Sequence, residues 1–157
     1  MRQTIAKLSI FVMIAAGVMP AVDLRLGTWK FNAAKSKSTS TNPVANQLDI
    51  REAMPDGRIQ VTRKGKLADG KDFSYSFTFK YDGREYPVKG AAFDTIAVKR
   101  IDALTTGYEA SVSKVKSKYS IKGQTVVTQD GRTLTQTSRG IDETGKLVES
   151  TAVFDRQ

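Results

Sequence analysis

The chain has 157 residues, which is enough for one domain with its own core. It contains neither cysteine nor histidine. Their absence excludes disulfides and thiol catalysis, and it removes the commonest general base and metal ligand. We therefore expect a protein that is not an enzyme and that holds no cofactor or metal. The net charge of +9 favours solubility or anionic partners. Because the basic residues are scattered singly, we expect no nucleic-acid partner.

The first 21 residues have the layout of a secretory signal peptide. Arg2 and Lys7 precede an apolar run from Leu8 to Val18, and small residues with Pro20 follow. The run is shorter than the roughly 20 residues that span a bilayer, so a membrane anchor is the weaker alternative. We expect residues 1–21 to be removed on export. The domain 22–157 would then lie in the periplasm or outside the cell and would not be an integral membrane protein.

Turn signals divide the rest of the chain at short intervals. Asp56-Gly57-Arg58, Asp69-Gly70-Lys71 and Asp82-Gly83-Arg84 recur 13 residues apart. Asp-Gly favours a tight hairpin turn, since glycine accepts positive φ and aspartate hydrogen-bonds nearby backbone. Asp130-Gly131-Arg132 and Gly145-Lys146 continue the series. This spacing predicts strands of roughly 8 to 10 residues joined by tight turns.

The segments between the turns alternate as strands do. Phe73, Tyr75, Phe77, Phe79 and Tyr81 alternate with serine, threonine and lysine, which is a period of two. No segment after the leader shows a helical period. We predict ten strands, near residues 24–31, 46–53, 58–66, 72–81, 85–89, 94–101, 107–115, 118–129, 132–140 and 147–155.

Ten strands that follow one another as neighbours must close or expose long edges. Closure removes the edges. We therefore predict an all-β fold, an antiparallel up-and-down β-barrel of about 8–10 strands with little or no helix after the signal peptide. A two-sheet sandwich is the alternative. Residues 32–46 are polar and poor helix material, so we expect a loop there with at most one helical turn.

The side chains on the inward faces of the strands indicate whether such a barrel is filled by its own residues. Small barrels hold either side chains or one small ligand. Residues 132–140 offer only Leu134 as a large apolar group, which favours a partly wet cavity. The carboxylates of Asp49, Glu52, Asp142 and Glu143 are interpreted as solvated strand or turn residues, since no acid/base pair or metal cluster stands out.

Two arginines are in phase with apolar residues of their strands. Arg63 follows Ile59 and Val61 at a spacing of two, and Arg100 follows Ile96 and Val98 in the same way. A guanidinium inside a cavity suits a carboxylate or phosphate.

The ligand-binding hypothesis combines these two arginines with the aromatic strand. Arg63 and Arg100 would hold an anionic head group, and Tyr75, Phe77 and Phe79 would contact the apolar tail. The alternative is that both arginines emerge into water near the strand ends and that the aromatic residues form ordinary core.

Short motifs resemble the lipocalin and fatty-acid-binding-protein superfamily, and more closely the bacterial lipocalin-like proteins. Leu26–Phe31, with its Gly-x-Trp, resembles the first strand of that superfamily. Asp130–Thr137 resembles a late hairpin, and Ser150–Arg156 the last strand. The resemblance implies a barrel with a ligand cavity.

The resemblance also implies how one end of the barrel closes. Gly27 and Trp29 would form that end, with Arg139 or Arg156 stacked on the indole by a cation–π contact. The Arg-x-Tyr pair that grips a fatty-acid carboxylate in that family is missing here, so this role is not carried over. The two short helices between its first strands are not expected either.

Together these patterns predict an exported, non-enzymatic binding protein. Its ligand would be small and hydrophobic or amphipathic, with an anionic lipid-like molecule as one form. The alternative is a basic cell-envelope interaction or structural protein with a filled barrel and no small-molecule ligand, which would present its outer surface to an anionic envelope component.

Overall fold

The computed structural model describes residues 22–113 and 119–157, so the predicted signal peptide lies outside the described residues. Within those ranges the helical structure is one 3-10 turn, Ala33–Lys35. No helix in them is long and apolar enough to cross a bilayer. The strands are β1 (Gly27–Phe31), β2 (Lys37–Ser38), β3 (Val44–Ala53), β4 (Ile59–Leu67), β5 (Asp72–Phe79), β6 (Asp82–Pro87), β7 (Thr95–Arg100), β8 (Thr105–Ser111), β9 (Ser120–Val127), β10 (Thr133–Ile141) and β11 (Leu147–Arg156).

The strands form one antiparallel sheet that curls into a nearly closed barrel. Strands β3 to β5 pair in succession, as do β6 to β11, and β1 pairs with both β3 and β11. β5 and β6 are the two edges of the sheet, and the isolated bridge Phe77–Val88 connects β5 to the residue that follows β6. The predicted up-and-down barrel is confirmed, with ten long strands in the predicted order, and the sandwich alternative is wrong. The short β2 adds to β11 within the predicted loop.

Two of the three regularly spaced Asp-Gly signals form the predicted hairpin turns. Gly57 and Gly70 have φ of 79° and 87°, which glycine accepts without strain. The third signal is different, because Asp82 and Gly83 lie within β6. There the pairing with β7 shifts register between Asp82 and Glu85. The prediction of a hairpin turn at Asp82-Gly83 is therefore wrong, and the glycine belongs to a strand irregularity.

The interior divides into two packed regions. The larger one contains residues of β4, β5, β7 and β8 together with two residues of the β6–β7 connection. It comprises Ile59, Val61, Phe77, Phe79, Val88, Phe93, Ile96, Val98 and Ala110. The smaller one lies where β1, β9, β10 and β11 meet, and it comprises Trp29, Val127, Leu134 and Phe154. Burial of these side chains supplies the main favourable term in folding.

Gly140 allows β9 and β10 to approach closely. It is paired with Ile121. A Cβ at residue 140 would lie 1.9 Å from the Ser120 carbonyl oxygen and 2.8 Å from the Ile121 Cα. Both obstacles are backbone atoms, so a side chain there must push the strands apart.

Replacing Gly140 with alanine should therefore destabilise the barrel. We expect the free energy of unfolding to fall by about 1–3 kcal/mol, as for other overpacked positions. Gly107→Ala is the control, because its Cβ would meet nothing nearer than Ile101 Cδ1 at 3.4 Å. Urea unfolding followed by circular dichroism measures both variants. Equal stability of the two would contradict the close-approach argument.

Candidate functional site: a cavity inside the barrel

The barrel encloses a cavity of about 1140 Å³. Sites for small ligands usually measure about 300–1,000 Å³, so an amphipathic molecule has room. The lining reaches one end of the barrel at Asn42, Lys71, Gly90 and Glu143, which lie in loops between strands. We call this end the mouth.

The opposite end is closed by the segment 22–26. Trp29 is fully buried, and its Nε1 donates a hydrogen bond of 2.9 Å to the Arg25 carbonyl. The Arg156 guanidinium lies over the Trp29 ring, 4.4 Å from the centroid. It also donates to three backbone carbonyls, those of Leu24, Leu26 and Gly131. Arg156 thus holds the segment and the indole together.

Gly27 and Arg139, the other residues predicted to close the barrel, lie in different places. Gly27 has φ of 117°, and a Cβ there would lie 2.6 Å from Arg156 Nη1. A glycine is therefore required beside the arginine. Arg139 lies on the outer surface, 70% exposed, and pairs with Glu149 at 3.1 Å. The structure places Arg156, and not Arg139, on Trp29.

The predicted aromatic residues line the cavity as one wall. Tyr75, Phe77 and Phe79 follow one another along β5, with stacked rings whose centroids are 6.1 and 6.0 Å apart. Phe93 meets Tyr75 edge-on at 5.9 Å, and it stacks with Tyr119 at 5.8 Å. We call Tyr75, Phe77 and Phe79 the aromatic wall. An apolar tail would find a continuous surface there.

The two predicted arginines are not brought together. Arg63 lines the cavity, and its guanidinium lies 5.5 Å from the Phe77 ring centroid. Arg100, at the last position of β7, is 46% exposed at the closed end. There it lies 3.6 Å from Asp23 and over the Tyr81 ring. Arg100 is not among the cavity residues, so a head group bound by Arg63 does not reach it.

Arg63 lies beside two residues of β3, Asp49 and Arg51, that the ligand-binding hypothesis did not include. Asp49 is completely buried and Arg51 is 6% exposed. Asp49 Oδ2 lies 3.0 Å from Arg51 Nη2 and 3.3 Å from Arg63 Nε. The interpretation of Asp49 as a solvated carboxylate is therefore wrong. Asp49 and Arg51 share a strand face because they are two residues apart, and that spacing of opposite charges was the available signal.

Gln136 on β10 completes the polar cluster. With its amide oxygen turned toward the arginines, it accepts from Arg51 Nη2 at 2.9 Å and from Arg63 Nη2 at 3.1 Å. Arg51 Nε and Asp49 Oδ1 are buried and make no hydrogen bond with the described residues. Buried polar atoms are nearly always paired, so the cluster leaves one donor and one acceptor unsatisfied among the described residues.

The charges in this cluster stabilise one another. Burial by itself raises the pKa of Asp49, but attraction to Arg51 and Arg63 and their hydrogen bonds hold that pKa below its usual value. Burial lowers the pKa of Arg63, but attraction to the Asp49 carboxylate and the interaction with Tyr75 together outweigh it, so the pKa is raised. At neutral pH the cluster therefore contains two cations and one anion.

Comparisons with known proteins show similarity of backbone alone. No family model and no curated protein matches the chain. EF1p2_mFAP2b bound to DFHBI is 12% identical over 85% of this chain and 94% of that chain, with a TM-score of 0.49. A fluorescence-activating β-barrel designed de novo is 12% identical over 87% of this chain and 99% of that chain, with a TM-score of 0.43. The siderocalin Ex-FABP is 12% identical over 85% of this chain and 71% of that chain, with a TM-score of 0.36.

Replacing Arg156 with methionine should destabilise the closed end. The variant loses a cation over Trp29 and the donor to three carbonyls, and hydrogen bonds from charged groups contribute about 1.5–3 kcal/mol. We expect unfolding to become easier by at least about 2 kcal/mol. Arg139→Met is the matched control and should change stability by less than about 1 kcal/mol, as for exposed ion pairs. Urea unfolding followed by Trp29 fluorescence tests this, and equal losses would refute the assignment.

Acid should remove the stabilisation that Asp49 provides. Because its folded pKa is depressed, that stabilisation is present above the unfolded pKa of about 3.9 and is lost as pH falls through the folded pKa. Asp49→Asn should be less stable than wild type at pH 7 and should lose less stability between pH 7 and pH 3. Glu52→Gln, a change at an exposed carboxylate of the same strand, is the control and should keep the wild-type pH dependence. Urea titrations at each pH measure the free energy of unfolding. If this free energy changes with pH in parallel for Asp49→Asn and wild type, the linkage is contradicted.

Proposed function

We propose that this protein binds a small amphipathic anion inside its barrel and catalyses no reaction on it. The head group lies against Arg51 and Arg63, and the apolar tail runs from there toward the mouth along Tyr75 and Phe73. The observation that carries the proposal is the cluster of buried Arg51 and half-buried Arg63, which both line the cavity and share one carboxylate, that of Asp49. An incoming carboxylate, sulfate or phosphate supplies the missing negative charge.

The position of the cluster supports binding with the head group inward. Arg63 lies four residues from Leu67, which ends β4 near the mouth. At about 3.3 Å per residue, this leaves roughly 13 Å of cavity wall above the guanidinium. On the mouth side of Arg63, β5 presents Tyr75, which is paired with Arg63, and Phe73, which is paired with Gly65, whereas Phe77 and Phe79 lie toward the closed end. A tail of that length lies against Tyr75 and Phe73, whose ring centroids are 6.2 Å apart, and the depth of the site removes the charged head from water.

The alternative function, a basic envelope-binding protein with a filled barrel, has less support. It needs a barrel occupied by its own side chains, whereas the cavity measures about 1140 Å³. The amino-terminal pattern supports a further part of our proposal. We place the protein in the periplasm or outside the cell, among bacterial lipocalin-like proteins, with no cofactor and no nucleic-acid partner.

Calorimetric titration with decanoate and decanol tests the proposed function. The two molecules share a tail and differ in head-group charge, so wild type should bind decanoate more tightly. Arg63→Met should weaken decanoate binding at least tenfold, a loss of about 1.4 kcal/mol, and should change decanol binding much less. Arg100→Met is the control and should leave both affinities near wild type. Undetectable decanoate binding, or equal affinity of wild type and Arg63→Met, would overturn the proposal.

Native mass spectrometry of the protein purified from its own host identifies the natural ligand. Extraction under denaturing conditions should release a stoichiometric amphipathic anion. An empty protein that also fails to bind decanoate would instead favour the interaction-protein alternative.

A further inference from the structure

We propose that Asp49 sets the charge selectivity of the cavity, so that the site prefers a singly charged anion to a doubly charged one. This inference builds on the proposed function and specifies its ligand class. Arg51 and Arg63 bring two positive charges to the inner cavity, and Asp49 bonds to both of them. The cluster therefore has one excess positive charge, which a single negative charge neutralises.

Asp49 acts through the arginines and does not touch the ligand. Its side chain is completely buried and is not among the residues that line the cavity. It is paired directly with Arg63 across β3 and β4 and with Trp29 across β3 and β1. The carboxylate is thus fixed behind the guanidinium groups, where it contributes charge without occupying the space of the head group. Asp49 is a positioning and charge-setting residue.

The remaining charged residues of the lining lie near the mouth. Lys37, Lys71, Asp72 and Glu143 are exposed, and Asp142 is half-buried. Water and salt screen such charges strongly. Deep in the barrel the dielectric is lower, so one unit of excess charge has a larger effect on affinity. Among the described residues, the Asp49 cluster therefore dominates the choice between a monoanion and a dianion.

Gln136 provides a second way to change the charge of the same cluster. Its amide oxygen accepts from both arginines, at 2.9 and 3.1 Å. Gln136→Glu places a carboxylate there with almost the same shape and leaves Asp49 intact. Asp49→Asn changes the charge in the opposite direction. Asp49→Asn, wild type and Gln136→Glu thus form a series with two, one and no excess positive charges.

Decyl sulfate and decyl phosphate at pH 8 are the probes, used below their micelle concentrations. They share a tail and a tetrahedral head group, but sulfate carries one charge and phosphate close to two, since its second pKa is about 6. Wild type should prefer the sulfate by about tenfold, because the second phosphate charge must be taken out of water and meets no further cation in the cluster. Asp49→Asn should lose or reverse this preference, because the phosphate gains about tenfold. Gln136→Glu should weaken the binding of both probes, and that of decyl phosphate more.

The outcomes separate this inference from the proposed function. If wild type binds neither probe, both are overturned. If wild type and all variants that fold bind both probes with one constant sulfate-to-phosphate ratio, the role of Asp49 is overturned and the proposed function stands. If Asp49→Asn does not fold, Gln136→Glu is the deciding variant. If it binds both probes with the affinities of wild type, the inference is overturned. Arg100→Met, outside the cavity, should keep the wild-type ratio.

Discussion

The buried carboxylate of Asp49 connects the binding cavity to the closed end of the barrel. Direct cross-strand pairs place five residues in one row, from Tyr75 through Arg63, Asp49 and Trp29 to Arg156. The row begins in the aromatic wall, crosses the charged cluster and ends at the arginine that holds the end segment. Because these neighbours are in direct register, a change of register in β3 would separate the arginine from its carboxylate and the indole from its cation.

This cluster is hard to explain as a device for stability alone. Burying three charges costs several kcal/mol per ion, and well-packed apolar residues in their place are often as good or better. The cluster also leaves Arg51 Nε without a partner among the described residues. A barrel under selection for packing would gain by filling this space with leucine or phenylalanine. Arg51 and Arg63 both line the cavity, and an anion bound there offsets their excess positive charge, which supports the binding role that we propose.

The barrel could be predicted from the sequence because its signals are local. The alternation in residues 72–81 and the Asp-Gly turns at Gly57 and Gly70 depend on neighbouring residues alone. The site could be predicted only in part. Alternation shows which residues share a face, but when the interior is wet it does not show which face is inside. In β3 the apolar Leu48 and Ile50 are half-buried, whereas Asp49 and Arg51 are buried. For Arg100 the stated alternative describes its position, since it is the last residue of β7 and 46% exposed.

One side of the cavity is apolar and the other is polar, which explains why β10 contains few large apolar residues. The aromatic wall and Ile96 cover one side, while Gln136 and Ser138 of β10 and Ser150 of β11 face the cavity from the other. The two serine hydroxyls bond each other at 2.7 Å. A packed core would seldom contain such residues without burying unpaired polar atoms. In a cavity shared by water and a tail they are tolerated, so the scarcity of large apolar residues in β10 and the size of the cavity have one physical cause.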